Sequence, residues 1–206
     1  DLKCVLLLTA DTYSKYIHPL DKSVRTLFGD AATATAILAA ESEQAPIGPF
    51  VFGTDGEGAG NLIVEAGMFR KPKDNETALE FSDASGNVRT REHLYMDGAE
   101  VLAFSLKEVP KSAELLLGKS GKNKDEIDLF ILHQANKFML SALRKKMNLS
   151  EERLPLLVEK TGNTVSSTIP LALTQLISDG RLQPGCKLML IGFGVGYSWA
   201  ACLLNF

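Results

Sequence analysis

Three places in this sequence carry side chains or backbone groups suited to act on a substrate. His133 stands directly after the apolar run 129–132 (LFIL), and ligands in open α/β sheets bind beyond the carboxyl ends of strands. An imidazole there exchanges hydrogen bonds or protons near neutral pH, although a core or capping histidine uses the same residue type. Asn163 lies between Gly162 and Thr164, in a loop that precedes a helical stretch. Its amide is suited to donate to a carbonyl, and equally to a turn or a helix cap. Residues 192–196 (GFGVG) offer closely spaced backbone N–H groups, the material of an oxyanion hole or of a tight hairpin. Cys4, Cys186 and Cys202 form no CxxC pair and sit in apolar stretches. Their spacing suits neither a disulfide nor a metal site, so buried free thiols are expected and no metal ligand set is assigned.

The elements that must position these groups follow from periodicity. Residues 4–9 (CVLLLT) form a continuous apolar run, the signature of a strand buried on both faces. A polar loop spans 11–25, and Gly29-Asp30 turns the chain into a small-residue strand at 31–40. Between 45 and 97 the signal is mixed, with Gly56, Gly58 and Gly60 in a loop and a strand near 62–66. Residues 98–119 read as a helix that Pro110 kinks or breaks, and 123–126 as a short helix start. An amphipathic helix is expected at 137–147, a short strand at 156–159, and a helix at 166–179 stopped by Gly180. Strands at 187–191 and 198–204 close the chain. Strands alternating with helices give an α/β class. The strand–turn–strand pattern of 4–40 is echoed by 187–204, as in a duplicated fold whose first copy is represented only by its last two strands.

Composition narrows the classes. The chain has 206 residues, 45% of them hydrophobic and 23% charged, which is globular. A net charge of −3 argues against a nucleic-acid partner, and no apolar run is long enough to span a membrane. No signal peptide is read at the start. The opening at Asp1, running straight into an apolar strand, leads to the expectation that a segment precedes it.

Taken together, the motifs decide more than any one does. His133-Gln134-Ala135-Asn136 after a buried strand, then Gly162-Asn163-Thr164, then residues 191–199 (IGFGVGYSW), resemble the 3-oxoacyl-(acyl carrier protein) synthase III family, and Leu27-Phe28-Gly29-Asp30 matches as well. All four occur in the family's order. The resemblance implies a thiolase-like α/β fold. Residues 1–45 would be a remnant of its N-terminal half. Residues 46–206 would be the C-terminal half, a mixed five-stranded sheet flanked by helices.

The same resemblance implies a Cys-His-Asn triad in which His133 and Asn163 are the His and the Asn. The turn Gly194-Val195-Gly196 would supply an oxyanion-hole N–H at Val195, and Phe193 would line the acyl pocket. The family's Cys precedes the strand with which this chain opens, so the nucleophile is absent here. The implied reaction joins an acyl group from acyl-CoA to malonyl-acyl carrier protein in the cytoplasm, with no cofactor and with a homodimeric full-length enzyme. Related acyl transfer, acyl–acyl condensation and a non-catalytic partner subunit are the alternatives. Lys137, Arg144, Lys145 and Lys146 would dock the acidic carrier protein. Phe138 stands where the best-known members have an Arg, and Val195 interrupts what is elsewhere an all-glycine run.

Overall fold

The structure is a computed structural model that describes residues 2–43 and 45–206, so the start at Asp1 lies outside it. Strands β1 (Cys4–Asp11) and β2 (Ala31–Leu38) form an antiparallel hairpin, followed by β3 (Ile47–Thr54). Two small ribbons come next, β4 (Leu62–Val64) with β7 (Leu94–Met96) and, between them, β5 (Phe81–Ser82) with β6 (Val88–Arg89). Helix α1 (Gly98–Ser120), β8 (Leu129–Leu132), α2 (Lys137–Lys146) and α3 (Thr168–Ser178) lead to the closing hairpin of β9 (Lys187–Gly194) and β10 (Ser198–Asn205).

The main sheet has the order β3-β10-β9-β8 and is mixed, because only β8 and β9 run parallel. Strand β8 is buried throughout, and its two-residue period sends alternate side chains to opposite layers. Phe130 and Leu132 pack with Leu116 and Leu140, in the layer of α1 and α2. Leu129 and Ile131 pack with Ala172 and Leu176 of α3. A strand covered on both faces holds the residue that follows it rigidly, and that residue is His133.

Helix α1 starts at Asp97, whose carboxylate accepts from Ala99 N–H and Glu100 N–H, both at 3.1 Å. It runs through Pro110 without a break, one of the two outcomes expected there; Val109 and Ala113 on either side of it are buried in the core. Helix α3 ends as expected, with Gly180 at φ +69°.

Three expectations need correction. Residues 156–159 form no strand, so the sheet has four strands among the described residues. The polar groups of that segment are spent otherwise: Leu157 N–H donates to the buried Gln134 Oε1 at 2.8 Å, and Gln134 Nε2 donates to Leu132 O at 2.9 Å. Second, β1 is not buried on both faces. Leu6 is 59% and Leu8 67% exposed, on the strand face opposite to Thr9, the residue that bonds Ser167. Third, Cys4 is therefore exposed, while Cys186 and Cys202 are half-buried; all three thiols are free. Among the described residues, no helix is long and apolar enough to cross a membrane.

The 81–89 ribbon is tied to the loop after β1 by Arg89, which is 4% exposed. Its guanidinium donates to Asp21 and to Asp83, each at 2.8 Å. Burial alone would raise the Asp21 carboxyl, but hydrogen bonds from Ser23 and Arg89 outweigh it and hold the group below its usual range. Arg89→Leu leaves Asp21 buried without its counter-charge, and it is expected to cost about 3–5 kcal/mol. Urea unfolding at neutral pH measures this, and a loss below about 1 kcal/mol would mean that the pair contributes little.

Candidate active site

His133 begins where β8 ends, and its backbone N–H donates to Ile191 O at 2.8 Å. The ring meets Phe193 edge-on at 5.4 Å between centroids, and its Nδ1 lies 2.7 Å from Thr168 Oγ1. Nε2 has no protein partner among the described residues, and the side chain lines a cavity of ≈ 550 Å³. Burial pushes the imidazole down to about 4, so it is neutral at physiological pH. A neutral ring can donate at one nitrogen while accepting at the other.

Asn163 is placed by backbone bonds on both sides. Its N–H donates to Leu27 O at 2.8 Å, and its O accepts from Gly29 N–H at 2.9 Å. Its side-chain Oδ1 accepts from Val165 N–H at 2.9 Å. That bond fixes the amide orientation and leaves Nδ2 as the free donor. The Leu27-Phe28-Gly29-Asp30 motif is thus a clamp on this loop as well as a strand entry. A Cβ on Gly29 would stand 2.1 Å from Thr161 O, so only glycine fits. Val165 adopts φ +54°, a costly conformation for a β-branched residue, and the surrounding bonds must hold it there. Some come from β1: Thr9 Oγ1 lies 2.8 Å from Ser167 Oγ, and Asp11 Oδ2 accepts from Ser166 N–H at 3.1 Å and from its hydroxyl.

The wall opposite Asn163 comes from the closing hairpin. Phe193, Gly194 and Val195 line the cavity, whereas Gly196 turns the chain behind them at φ +135°. The turn is braced by Tyr197, whose ring stacks on Phe104 at 4.0 Å and whose backbone bonds Asp55 in both directions. Gly53 and Gly58 make room for the rings of Trp199 and Tyr197, since a Cβ at either would lie 2.1 Å from the facing ring. Thus His133, Asn163, Phe193, Gly194 and Val195 share one cavity, and no cysteine lines it.

Residues 117–206 match the family described as 3-Oxoacyl-[acyl-carrier-protein (ACP)] synthase III C terminal, and residues 1–56 match 3-Oxoacyl-[acyl-carrier-protein (ACP)] synthase III. The chain belongs to the 3-oxoacyl-ACP synthase III family. It is 31% identical to the chloroplastic beta-ketoacyl-ACP synthase III B of Cuphea wrightii, over 98% of this chain and 50% of that protein. A crystal structure of a 3-oxoacyl-ACP synthase III superposes with a TM-score of 0.98 at 66% identity, covering 99% of this chain and 60% of that one. A 3-oxoacyl-ACP synthase from Burkholderia xenovorans LB400 gives 0.85 at 43% identity, over 98% and 56%. The chain spans about half the length of the curated relative and somewhat more of the solved structures.

The basic residues of this synthase III chain do not form one free patch. Lys137 is bound to Glu159 at 2.6 Å, and Arg144 is paired with Glu151. Lys145 and Lys146 are exposed and have no carboxylate partner among the described residues. The sequence reading also missed Thr168, Tyr13 and Phe52, all of which line the cavity. Thr168 carries no local signal as a cavity residue, because its contact with His133 spans 35 positions.

Two measurements check this geometry. Gly29→Ala should lose about 1–3 kcal/mol of stability, because the new methyl group displaces the Thr161 carbonyl; an unchanged melting temperature would contradict the clamp. His133 should titrate near pH 4 by NMR, and a midpoint at the ordinary 6.5 would show a solvated ring. Since the folded value lies below the unfolded one, folding stability is lost as pH falls from about 6.5 toward 4.

Proposed function

We propose that this chain is the C-terminal part of a decarboxylative condensing enzyme. It joins an acyl group delivered by acyl-CoA to malonyl-acyl carrier protein and forms 3-oxoacyl-acyl carrier protein for fatty-acid or related biosynthesis. The observation that carries this reading is the pair of neutral groups facing one cavity, His133 Nε2 and Asn163 Nδ2, neither of which has a protein partner among the described residues. Family membership supports it independently.

The chemistry follows from that pair. Both groups donate to the thioester carbonyl of the malonyl unit. The bond to the carboxylate breaks, carbon dioxide leaves, and its electron pair enters an enolate stabilised by the same two donors. The enolate carbon attacks an acyl thioester on a cysteine, and the resulting oxyanion rests on backbone N–H groups that include Val195. The C–S bond then breaks and the thiolate is released. We assign the nucleophilic cysteine to a part of the protein outside these 206 residues, because Cys4, Cys186 and Cys202 do not reach the cavity.

The division at 45/46 into two thiolase-like halves belongs to the same reading and is supported by the two hairpins, β1–β2 and β9–β10, that would end them. A cytoplasmic homodimer and docking of the carrier protein are part of it as well. The ion pairs at Lys137 and Arg144 leave Lys145 and Lys146 as the freer cations for docking. No cofactor enters the mechanism.

In the full-length protein, His133→Ala should abolish malonyl-thioester decarboxylation, a loss on the order of 10²-fold or more, while acyl transfer to the cysteine persists. Undiminished decarboxylation would remove His133 from the role. This chain alone, given acyl-CoA and malonyl-acyl carrier protein, should form no 3-oxoacyl product; appearance of product would place the nucleophile within it.

A further inference from the structure

We propose that Thr168 is a positioning residue that fixes His133 as a donor at Nε2; the catalytic meaning of this role rests on the reading above. Neutral imidazole exists as two tautomers, and only one has a hydrogen on the nitrogen that faces the cavity. Thr168 Oγ1 lies 2.7 Å from His133 Nδ1 and 3.0 Å from Val165 O. Its single hydrogen can serve only one of them. Given to Val165 O, it requires His133 to be protonated at Nδ1, which leaves a bare lone pair at Nε2. Given to Nδ1, it leaves the ring proton on Nε2, aimed at the cavity.

The distances separate the two cases. O–H···O bonds have a mode near 2.7–2.8 Å, and N–H···O bonds near 2.9–3.0 Å. The 2.7 Å contact to Nδ1 therefore fits O–H···N better than N–H···O. The 3.0 Å contact to Val165 O is long for a hydroxyl donor. Val165 O is also already bonded to the backbone N–H of Thr168, so it does not require the hydroxyl. Nδ1 has no other partner among the described residues. The ring is neutral because burial disfavours its cation, which makes the tautomer, not the charge, the variable that the protein must set. A hydroxyl donating to Nδ1 also polarises the ring and strengthens Nε2–H as a donor.

Thr168 opens α3, and Asn163 is oriented by Val165 N–H. One short turn thereby fixes the donor identity of both catalytic side chains.

The ¹⁵N shifts of His133 in the unaltered chain test the assignment without reference to activity. Nδ1 is expected in the unprotonated range and Nε2 in the protonated range; a protonated Nδ1 overturns the proposal. In the full-length enzyme, Thr168→Val keeps the side-chain shape and removes the donor. It should slow malonyl-thioester decarboxylation by on the order of tenfold, less than outright loss of a donor, and leave cysteine acylation unchanged. Thr168→Ser should restore the wild-type rate. Equal loss in both steps, or no loss in the valine variant, overturns the positioning role. If wild-type enzyme shows the expected shifts yet does not decarboxylate malonyl thioesters, the tautomer assignment stands and the proposed reaction fails.

Discussion

The candidate active site depends on one turn, from Asn163 to Thr168, held in a conformation the chain would not choose alone. Val165 has a positive φ, which costs on the order of 1 kcal/mol or more in isolation. The turn persists because it is bonded from several directions. Leu27 and Gly29 hold its start, Thr9 and Asp11 hold its middle, and α3 continues from its end. These anchors come from β1 and from the loop between the two hairpin strands, far away in sequence. Strain at the site is thus matched by bonds spread across the chain, none of them exceptional by itself.

Around this turn the rest of the molecule provides rigidity. Strand β8 is buried on both faces, so the His133 backbone cannot drift relative to β9, to which it is bonded at Ile191. The closing hairpin is braced by aromatic rings of Tyr197 and Trp199, packed against backbone that lacks side chains at Gly58 and Gly53. Glycine in these places serves close packing, whereas at Gly196 it serves a positive φ. Burial of His133 then makes its imidazole neutral, a property that no single contact explains.

How far the sequence discloses this arrangement depends on distance along the chain. Buried runs such as 129–132 declare themselves, because their pattern is local, and His133 follows from the end of that strand. Asn163 and the GFGVG turn are legible as a set. The partner of His133 is not, since Thr168 is one threonine among several near a helix start, and only the fold brings it to Nδ1. Apolar residues 4–9 promised a strand and formed one, but a run of leucines does not say what covers it, and here Leu6, Leu7 and Leu8 are exposed. Residues 156–159 have strand-like composition, yet a buried glutamine side chain takes up the Leu157 N–H. The basic residues of α2 looked like a free surface because the glutamates that pair with two of them lie in the following segment.

The bonds from Thr9 and Asp11 to Ser167 and Ser166 join positions separated by more than 150 residues. They cross the boundary at which the two halves of the fold would be divided. A chimera that exchanged one half for that of a distant relative would therefore inherit an intact main sheet and an intact closing hairpin, yet leave the Asn163–Thr168 turn without half its supports. The side-chain oxygens at positions 9 and 11, and the missing side chain at position 29, form a compatibility code that must be transferred together with the asparagine loop.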